Sequence, residues 1–364
     1  MTIIKNNKWL KTTPHKLFHH LDRLTKWMNG ENVAPIFVEL GPTNICNQNC
    51  SWCYTKHVHG KLNFSRDLYL KIIRDLAVFG IRSVCIQGTG EPFCNKTSSE
   101  AIKLGAELGM SMSAITNGML VIKDVAEECV PYLDWMKISA LESDAHIYAK
   151  HHGCSGNHFK TLIKNIENIV SINNRNKNSE FVLSASMLVD KDNWHTIAEV
   201  AHMAKELGID FLQVRAPSGN QFNSYITEAD IHLNEKVNSV IEKAREYGDD
   251  DFLVDIRIDS FEEQNKGSFK KRFSKCYGIS FETLIAADAC VYPCLRFWSN
   301  KEYSLGNLKN SSFEEIWNSE QKENVFSKIL NDWDLNKCEM VCKQSYINES
   351  LCELKNPPLH KNFL

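Results

Sequence analysis

At 364 residues the chain can bury a large core without disulfides, and its net charge of −3, with acidic and basic residues interspersed, leaves no basic stripe for nucleic acid. No apolar run of about eighteen residues occurs, and the start MTIIKNNKWLKTTPHK lacks an apolar core of signal-peptide length. These features exclude a helical membrane span and predict a cytoplasmic protein. Thirteen cysteines are then the oddity. They form a tight group at 46–53 and pairs at 290/294 and 338/342 with Cys276 upstream, while Cys85, Cys94, Cys129, Cys154 and Cys352 are scattered. In a reducing compartment grouped thiols bind metal or iron–sulfur centres, whereas scattered ones behave as small apolar residues.

In chain order, HKLFHHLDRLTKWM puts Leu17, Phe18, Leu21, Leu24 and Met28 at helical spacing, with Gly30 to end the helix. A buried strand follows at 36–40. Helices over 66–79, 98–109, 158–173 and 194–208 then alternate with strands over 83–87, 111–116, 134–139, 181–189 and 211–216. A further helical stretch lies between 116 and 134. This rhythm predicts an α/β fold of six β–α units around a parallel sheet, curved or open. From about Ser260 it breaks. Residues 272–342 carry short strands, turn signals, cysteines and one Ser-capped helix over 311–320, a smaller second module. The expected division is a helical extension (1–32), the main α/β unit (33–260), the cysteine-bearing module (261–345) and a tail (346–364) whose last residues, NPPLHKNFL, are extended by prolines.

CNQNCSWC places Cys46, Cys50 and Cys53 in a loop after the first strand, the end of a parallel barrel where active sites gather. Three thiolates can hold three corners of a [4Fe–4S] cube and leave the fourth iron open. Zinc is the alternative, with His57 or His59 as a fourth ligand. CxxxCxxC with an aromatic residue before its last cysteine resembles the radical S-adenosylmethionine (SAM) superfamily. The resemblance implies a partial (β/α)6 TIM-like barrel, a SAM-binding [4Fe–4S] cluster on Cys46, Cys50 and Cys53, and reductive cleavage of SAM to a 5′-deoxyadenosyl radical. It also implies that Trp52 shields the cluster, and that Gly88, Thr89, Gly90 and Glu91 of GTGEP match the motif that receives the methionine amino group. Thr116, Asn117 and Ser139, at the ends of the third and fourth strands, resemble positions that touch ribose and carboxylate. Read without the family, those polar groups satisfy loop backbone.

The order Cys276, hairpin, Cys294, GN…SFEEIW, Cys338, Cys342 resembles the SPASM/twitch extension of that superfamily. It implies a second, auxiliary [4Fe–4S] cluster on these four cysteines, with zinc again the plainer alternative. Cys290 and Cys352 stay open as ligands, with Cys294 preferred over Cys290. Fully ligated, such a cluster takes or gives an electron, which favours oxidation of an alcohol on a small substrate such as a sugar, aminocyclitol or nucleotide sugar. Epimerisation or peptide modification is the alternative, and a plain electron carrier or zinc module the alternative of another class. The short N-terminal extension favours a small substrate over a peptide. Cys94, Cys154 and Arg215 are candidate catalytic groups; His57, His59, Glu142, His151 and His152 are candidates for the rim. Expected partners are the substrate and an electron donor such as flavodoxin or ferredoxin, with no nucleic acid and no membrane.

Overall fold

A computed structural model describes residues 14–176, 180–217, 234–258, 261, 271–338 and 342–362. Among the described residues ten strands form one sheet: β1 (Phe37–Leu40), β2 (Ser83–Ile86), β3 (Ser111–Thr116), β4 (Trp135–Ile138), β5 (Val182–Leu188), β6 (Phe211–Arg215), β7 (Leu253–Ile256), β8 (Glu282–Ile285), β9 (Cys290–Tyr292) and β10 (Gly306–Asn307). β1 to β7 lie side by side in chain order, each parallel to the next. On the other side of β1 comes β8, also parallel, then β9 and β10, antiparallel. The six expected strands are therefore present, and β7 is a seventh. The second module is continuous with the barrel sheet through β8.

The strands form because one face of each buries apolar side chains under helices. Val38, Val84, Met136, Ile138, Leu183, Ala185, Leu212 and Val214 all belong to one core cluster. Helix α1 is Leu21–Met28, α2 Arg66–Phe79, α3 Ser98–Glu107, α4 Lys123–Cys129, α5 Ala145–His152, α6 Asn157–Asn176, α7 Ile197–Glu206 and α8 Glu235–Arg245. Their ends follow ordinary capping chemistry. Ser65 accepts from Leu68 N at the start of α2, and Gly80 (φ 90°) ends it in the left-handed region. Asp144 accepts from His146 N and Ile147 N at the start of α5.

The N-terminal extension departs from its expected helical face. Residues 14–20 are a 3₁₀ turn, so Leu17, Leu24 and Trp27 are buried while Phe18 and Leu21 face solvent. They pack on Phe281 and Leu351, the latter on a helix over Ser345–Lys355. The tail expected over 346–364 therefore begins with this helix, which ends just before NPPLHKNFL. The predicted Ser-capped helix is Phe313–Trp317, with Ser312 and Glu315 in a reciprocal capping box. Trp317 is fully buried and its Nε1 donates to Val33 O at 2.8 Å, which ties this module to the entry of β1.

Candidate radical-initiating site and auxiliary thiol group

Two groups of thiols form, one at each end of the sheet. The first lies in the loop after β1. Its base is zipped shut: Asn44 N donates to Leu62 O, Gly60 N to Asn44 O, Asn44 Nδ2 to Val58 O and Leu62 N to Asn44 Oδ1. With the backbone satisfied, the loop holds Cys46, Cys50 and Cys53 as one group. The loop after β2 presses against it. Thr89 Oγ1 donates to Thr43 O, Gly90 N to Thr43 O and Glu91 N to Ile45 O. A Cβ on Gly90 would lie 2.1 Å from Ile45 O, so glycine is required for this approach.

Glu91 is 3 % exposed and accepts from Thr116 Oγ1 at 2.6 Å, Asn117 N at 2.8 Å and Phe93 N at 3.2 Å. Burial outweighs these donors and lifts its carboxyl to about 7. Asn117 Nδ2 donates to Asn47 Oδ1 at 2.7 Å. The side chains of Thr116, Asn117 and Glu91 thus bind one another and the cysteine loop. Among the described residues the Ser139 hydroxyl makes no hydrogen bond, which leaves it open towards a ligand.

A third support comes from α5, a helix whose sequence AHIYAKHH carries no apolar stripe. The carbonyls of His151 and His152 accept from Ser51 N (2.9 Å) and Asn49 N (3.0 Å). His151, 1 % exposed, has Nδ1 2.7 Å from Glu142 Oε1 and Nε2 3.2 Å from Asp190 Oδ2, the latter off the line of a hydrogen bond. Burial alone would lower its pKa. The two carboxylates together outweigh burial and raise it to about 9, so His151 is an imidazolium at neutral pH. Trp52 packs on that ring with centroids 4.3 Å apart. His152 stacks on Tyr148 at 4.0 Å, its Nδ1 3.3 Å from Cys50 Sγ. His59 Nε2 is 3.6 Å from Cys53 Sγ, and the His57 ring lies 6.4 Å from that of Trp298. Cys94 is in the electrostatic reach of Cys46, and Cys154 in that of Cys50. Arg215 is elsewhere, inside the barrel, within reach of Lys137 and Arg257.

The second group sits at the opposite end. Cys276 precedes β8, and β9 runs back antiparallel to it, so Cys294 emerges beside Cys276. Cys338 and Cys342 complete the set: the Cys294 thiol is raised first by burial and then by Cys276, Cys342 and Cys338. Trp333 Nε1 donates to Cys338 Sγ at 3.2 Å and Asn348 Nδ2 to Cys276 Sγ at 3.5 Å. Cys290 points elsewhere and accepts from Lys301 Nζ and Asn307 Nδ2. Cys352 donates to Lys275 O instead.

Both donor sets suit iron–sulfur centres. Burial pushes Cys46 up to about 11, and Cys276 and Cys294 further, with neighbouring thiols adding to the rise. Such crowded thiols become thiolates only when a cation shares the site. The chemistry of all-sulfur donors selects iron–sulfur clusters over hard metals.

Sequence reading missed Lys343. Its ammonium bonds both Glu39 of β1 and Glu282 of β8, immediately after Cys342. The charged residues inside FVEL and ETLI, strands otherwise short of charge, were the available signal.

An open-ended parallel barrel with three thiols above it and four below defines a class of radical-initiating iron–sulfur enzymes. Residues 40–204 match the Radical SAM superfamily and residues 276–344 an iron–sulfur cluster-binding domain, SPASM. The chain belongs to the radical SAM superfamily, in its SPASM-bearing subgroup, and with the family come a [4Fe–4S] cluster, SAM and auxiliary iron–sulfur binding. It is 24 % identical to the tungsten-containing aldehyde ferredoxin oxidoreductase cofactor-modifying protein of Pyrococcus furiosus, over 78 % of this chain and 81 % of that one. It is also 24 % identical to the PqqA peptide cyclase of Rhodopseudomonas palustris, over 80 % and 76 % respectively. In fold it resembles Streptococcus suis SuiB bound to S-adenosylmethionine, with a TM-score of 0.64 and 16 % identity over 93 % of this chain and 82 % of that one. Among the described residues no helix is long and apolar enough to cross a membrane.

Proposed function

We propose that this enzyme oxidises a C–H-bearing substrate inside its barrel, between a SAM-binding cluster on Cys46, Cys50 and Cys53 and an auxiliary cluster on Cys276, Cys294, Cys338 and Cys342. When bound, SAM and its cluster supply a 5′-deoxyadenosyl radical, and that chemistry belongs to the cofactor. The chain's own residues position the reactants and exclude water. The observation that carries this reading is the placement of the two thiol groups at opposite ends of one short sheet. Four residues of strand at ~3.3 Å each separate the ends by about 13 Å of sheet height, and a cluster held by Cys276, Cys294, Cys338 and Cys342 would supply an electron acceptor at the other end of the same sheet. Ser139, with its hydroxyl open, is the residue on the upper rim suited to a ligand contact. Trp52 covers the cysteine loop from the α5 side. The first electron comes from a low-potential donor such as flavodoxin or ferredoxin.

The relatives that span most of both chains support two substrate classes. The peptide cyclase favours a peptide, and this is the first reading. The cofactor-modifying relative favours a small molecule, the second reading, in which an alcohol is oxidised to a carbonyl. Cys94 and Cys154 lie beside the cysteine loop, where each is suited to shielding it. Anaerobic reconstitution with iron, sulfide, SAM and reductant tests the radical step: without 5′-deoxyadenosine the proposal fails. Extract from deuterated cells, split by size, tests the substrate. Deuterium entering 5′-deoxyadenosine from the peptide fraction supports the first reading; transfer from the small-molecule fraction replaces it with the second.

A further inference from the structure

Inward and outward positions on the barrel strands differ in exposure. On the inward face Ile115 on β3, Trp135 and Lys137 on β4, and Gln213 and Arg215 on β6 are half-buried, whereas Ser113, Ser184, Ser186 and Phe211 on that face are buried; the outward Ala114, Met136, Ile138, Leu212 and Val214 are fully buried. A filled barrel interior would bury both sets. The half-buried set therefore borders an open lumen, and its charges face whatever enters.

Those charges are sorted by wall. On the β1–β8 wall Glu39 and Glu282 are both bonded to Lys343. Between β4 and β6 the inward charges are Lys137 and Arg215, and the acid on the adjoining strand, Asp255 of β7, lies in register with Gln213 and accepts from its Nε2 at 3.4 Å. Lys137 pairs in register with uncharged Ile115 on one side and Ser184 on the other. Arg215 stands on the same inward face, level with Leu188, nearer the end of the sheet that bears the first thiol group. The charged and titratable groups within reach of Lys137 are Arg215 and Lys343, which repel it, and Cys85 and Glu39, which attract it. Among the described residues no hydrogen bond or ion pair reaches the Lys137 ammonium, and Glu39 is already bonded to Lys343. Burial and then the Arg215 charge pull its pKa down to about 8, the mark of a cation held without a counterion. Unpaired charge in an enclosed site is costly, and a ligand anion removes that cost.

We propose that the lumen binds a substrate through an anionic group, carboxylate or phosphate, held from the β4–β6 wall by Lys137 with Arg215 beside it. This rests on the reading that substrate enters the lumen, but its test needs no turnover. Calorimetry on the anaerobically reconstituted full chain, saturated with SAM, would titrate glutarate and pyrophosphate separately. At least one is expected to bind at a single site. Lys137→Met should weaken that binding at least tenfold, about the worth of one charge-assisted contact. Lys137→Arg should restore it to within about threefold, and Lys103→Met, on the exposed face of α3, should leave it unchanged. Preference for pyrophosphate would mark a phosphorylated substrate, and preference for glutarate a carboxylate. Three results overturn the proposal: neither anion binds, the Lys137→Met protein binds as the wild type does, or binding occurs only in the absence of SAM, which would make this the cofactor's own carboxylate site. Should Lys137→Met fail to retain iron, Lys137→Gln carries the same comparison. Absence of 5′-deoxyadenosine in the wild type would refute the parent reading alone.

Discussion

Cys46, Cys50 and Cys53 come from one loop, whereas Cys276, Cys294, Cys338 and Cys342 are gathered from a stretch that crosses three strands, two helices and several turns. The first group is held by clamps from the neighbouring β2 loop and from the end of α5, all hydrogen-bonded to the loop itself. The second has no single loop to clamp. Its position is set by the β1–β8–β9 register and by the side chain of Lys343, which reaches into the barrel from the residue after Cys342. Proximity in sequence makes a site robust to changes elsewhere. A site assembled from distant segments inherits every weakness of the sheet that joins them.

That contrast can be broken most sharply at the thiols. Cys50→Ala should abolish 5′-deoxyadenosine formation and remove about four irons per chain. Cys294→Ala should remove a similar amount of iron, yet the nucleoside should still form while the oxidised product is lost. Iron analysis and chromatography read both. Equal effects of the two substitutions on deoxyadenosine would mean the groups do not divide the work.

The next largest effect lies at His151. His151→Gln leaves Glu142 and Asp190 buried without their cation, which costs about 3–5 kcal/mol of stability. The folded pKa of His151, near 9, stands above its ordinary value of 6.5. Its stabilisation is therefore complete below about pH 6.5 and disappears as the pH rises through 9. The gap between wild type and His151→Gln in thermal unfolding should shrink by about 3 kcal/mol from pH 6 to pH 10. A pH-independent gap would mean that His151 acts by packing alone.

Lys343→Met should cost less, about 1–3 kcal/mol, because the Lys343 side chain is 40 % exposed and solvent screens its pairs. Its iron loss should fall on the auxiliary group only, leaving the Cys50-dependent signal in electron paramagnetic resonance. The smallest effect belongs to Cys290→Ala, which removes a buried thiol from a satellite apolar cluster. About 1 kcal/mol and unchanged iron are expected. Iron loss there would make Cys290 a ligand.

Much of the sheet could be read from sequence because its strands are short apolar runs between amphipathic helices; the segment expected at 111–116 is β3 as found. α5 escaped because AHIYAKHH has no apolar stripe: its buried side chains are Tyr148, His151 and His152, packed through rings and charges. The first thiol group was legible from spacing alone. Cys294, not Cys290, joining the second group depended on which end of the hairpin each occupies: Cys290 starts β9 beside the turn, and Cys294 follows its far end. The clamps were invisible for the same reason. Asp190 and Lys343 are single polar residues whose partners lie far along the chain, and Glu142 bonds both His151, nine residues on, and Asn193, fifty-one residues on; no local pattern names the distant partner.

The pairing of Phe37 with Glu282 has a consequence for synthesis. β1 emerges early but acquires its outer neighbour only after most of the polypeptide has been made. Until β8 arrives, the strand that leads into the cysteine loop is a bare edge, open to pairing with another chain. Contacts this distant also close slowly. Truncations that stop before residue 285 should therefore aggregate, and chaperone dependence should fall once β8 is present.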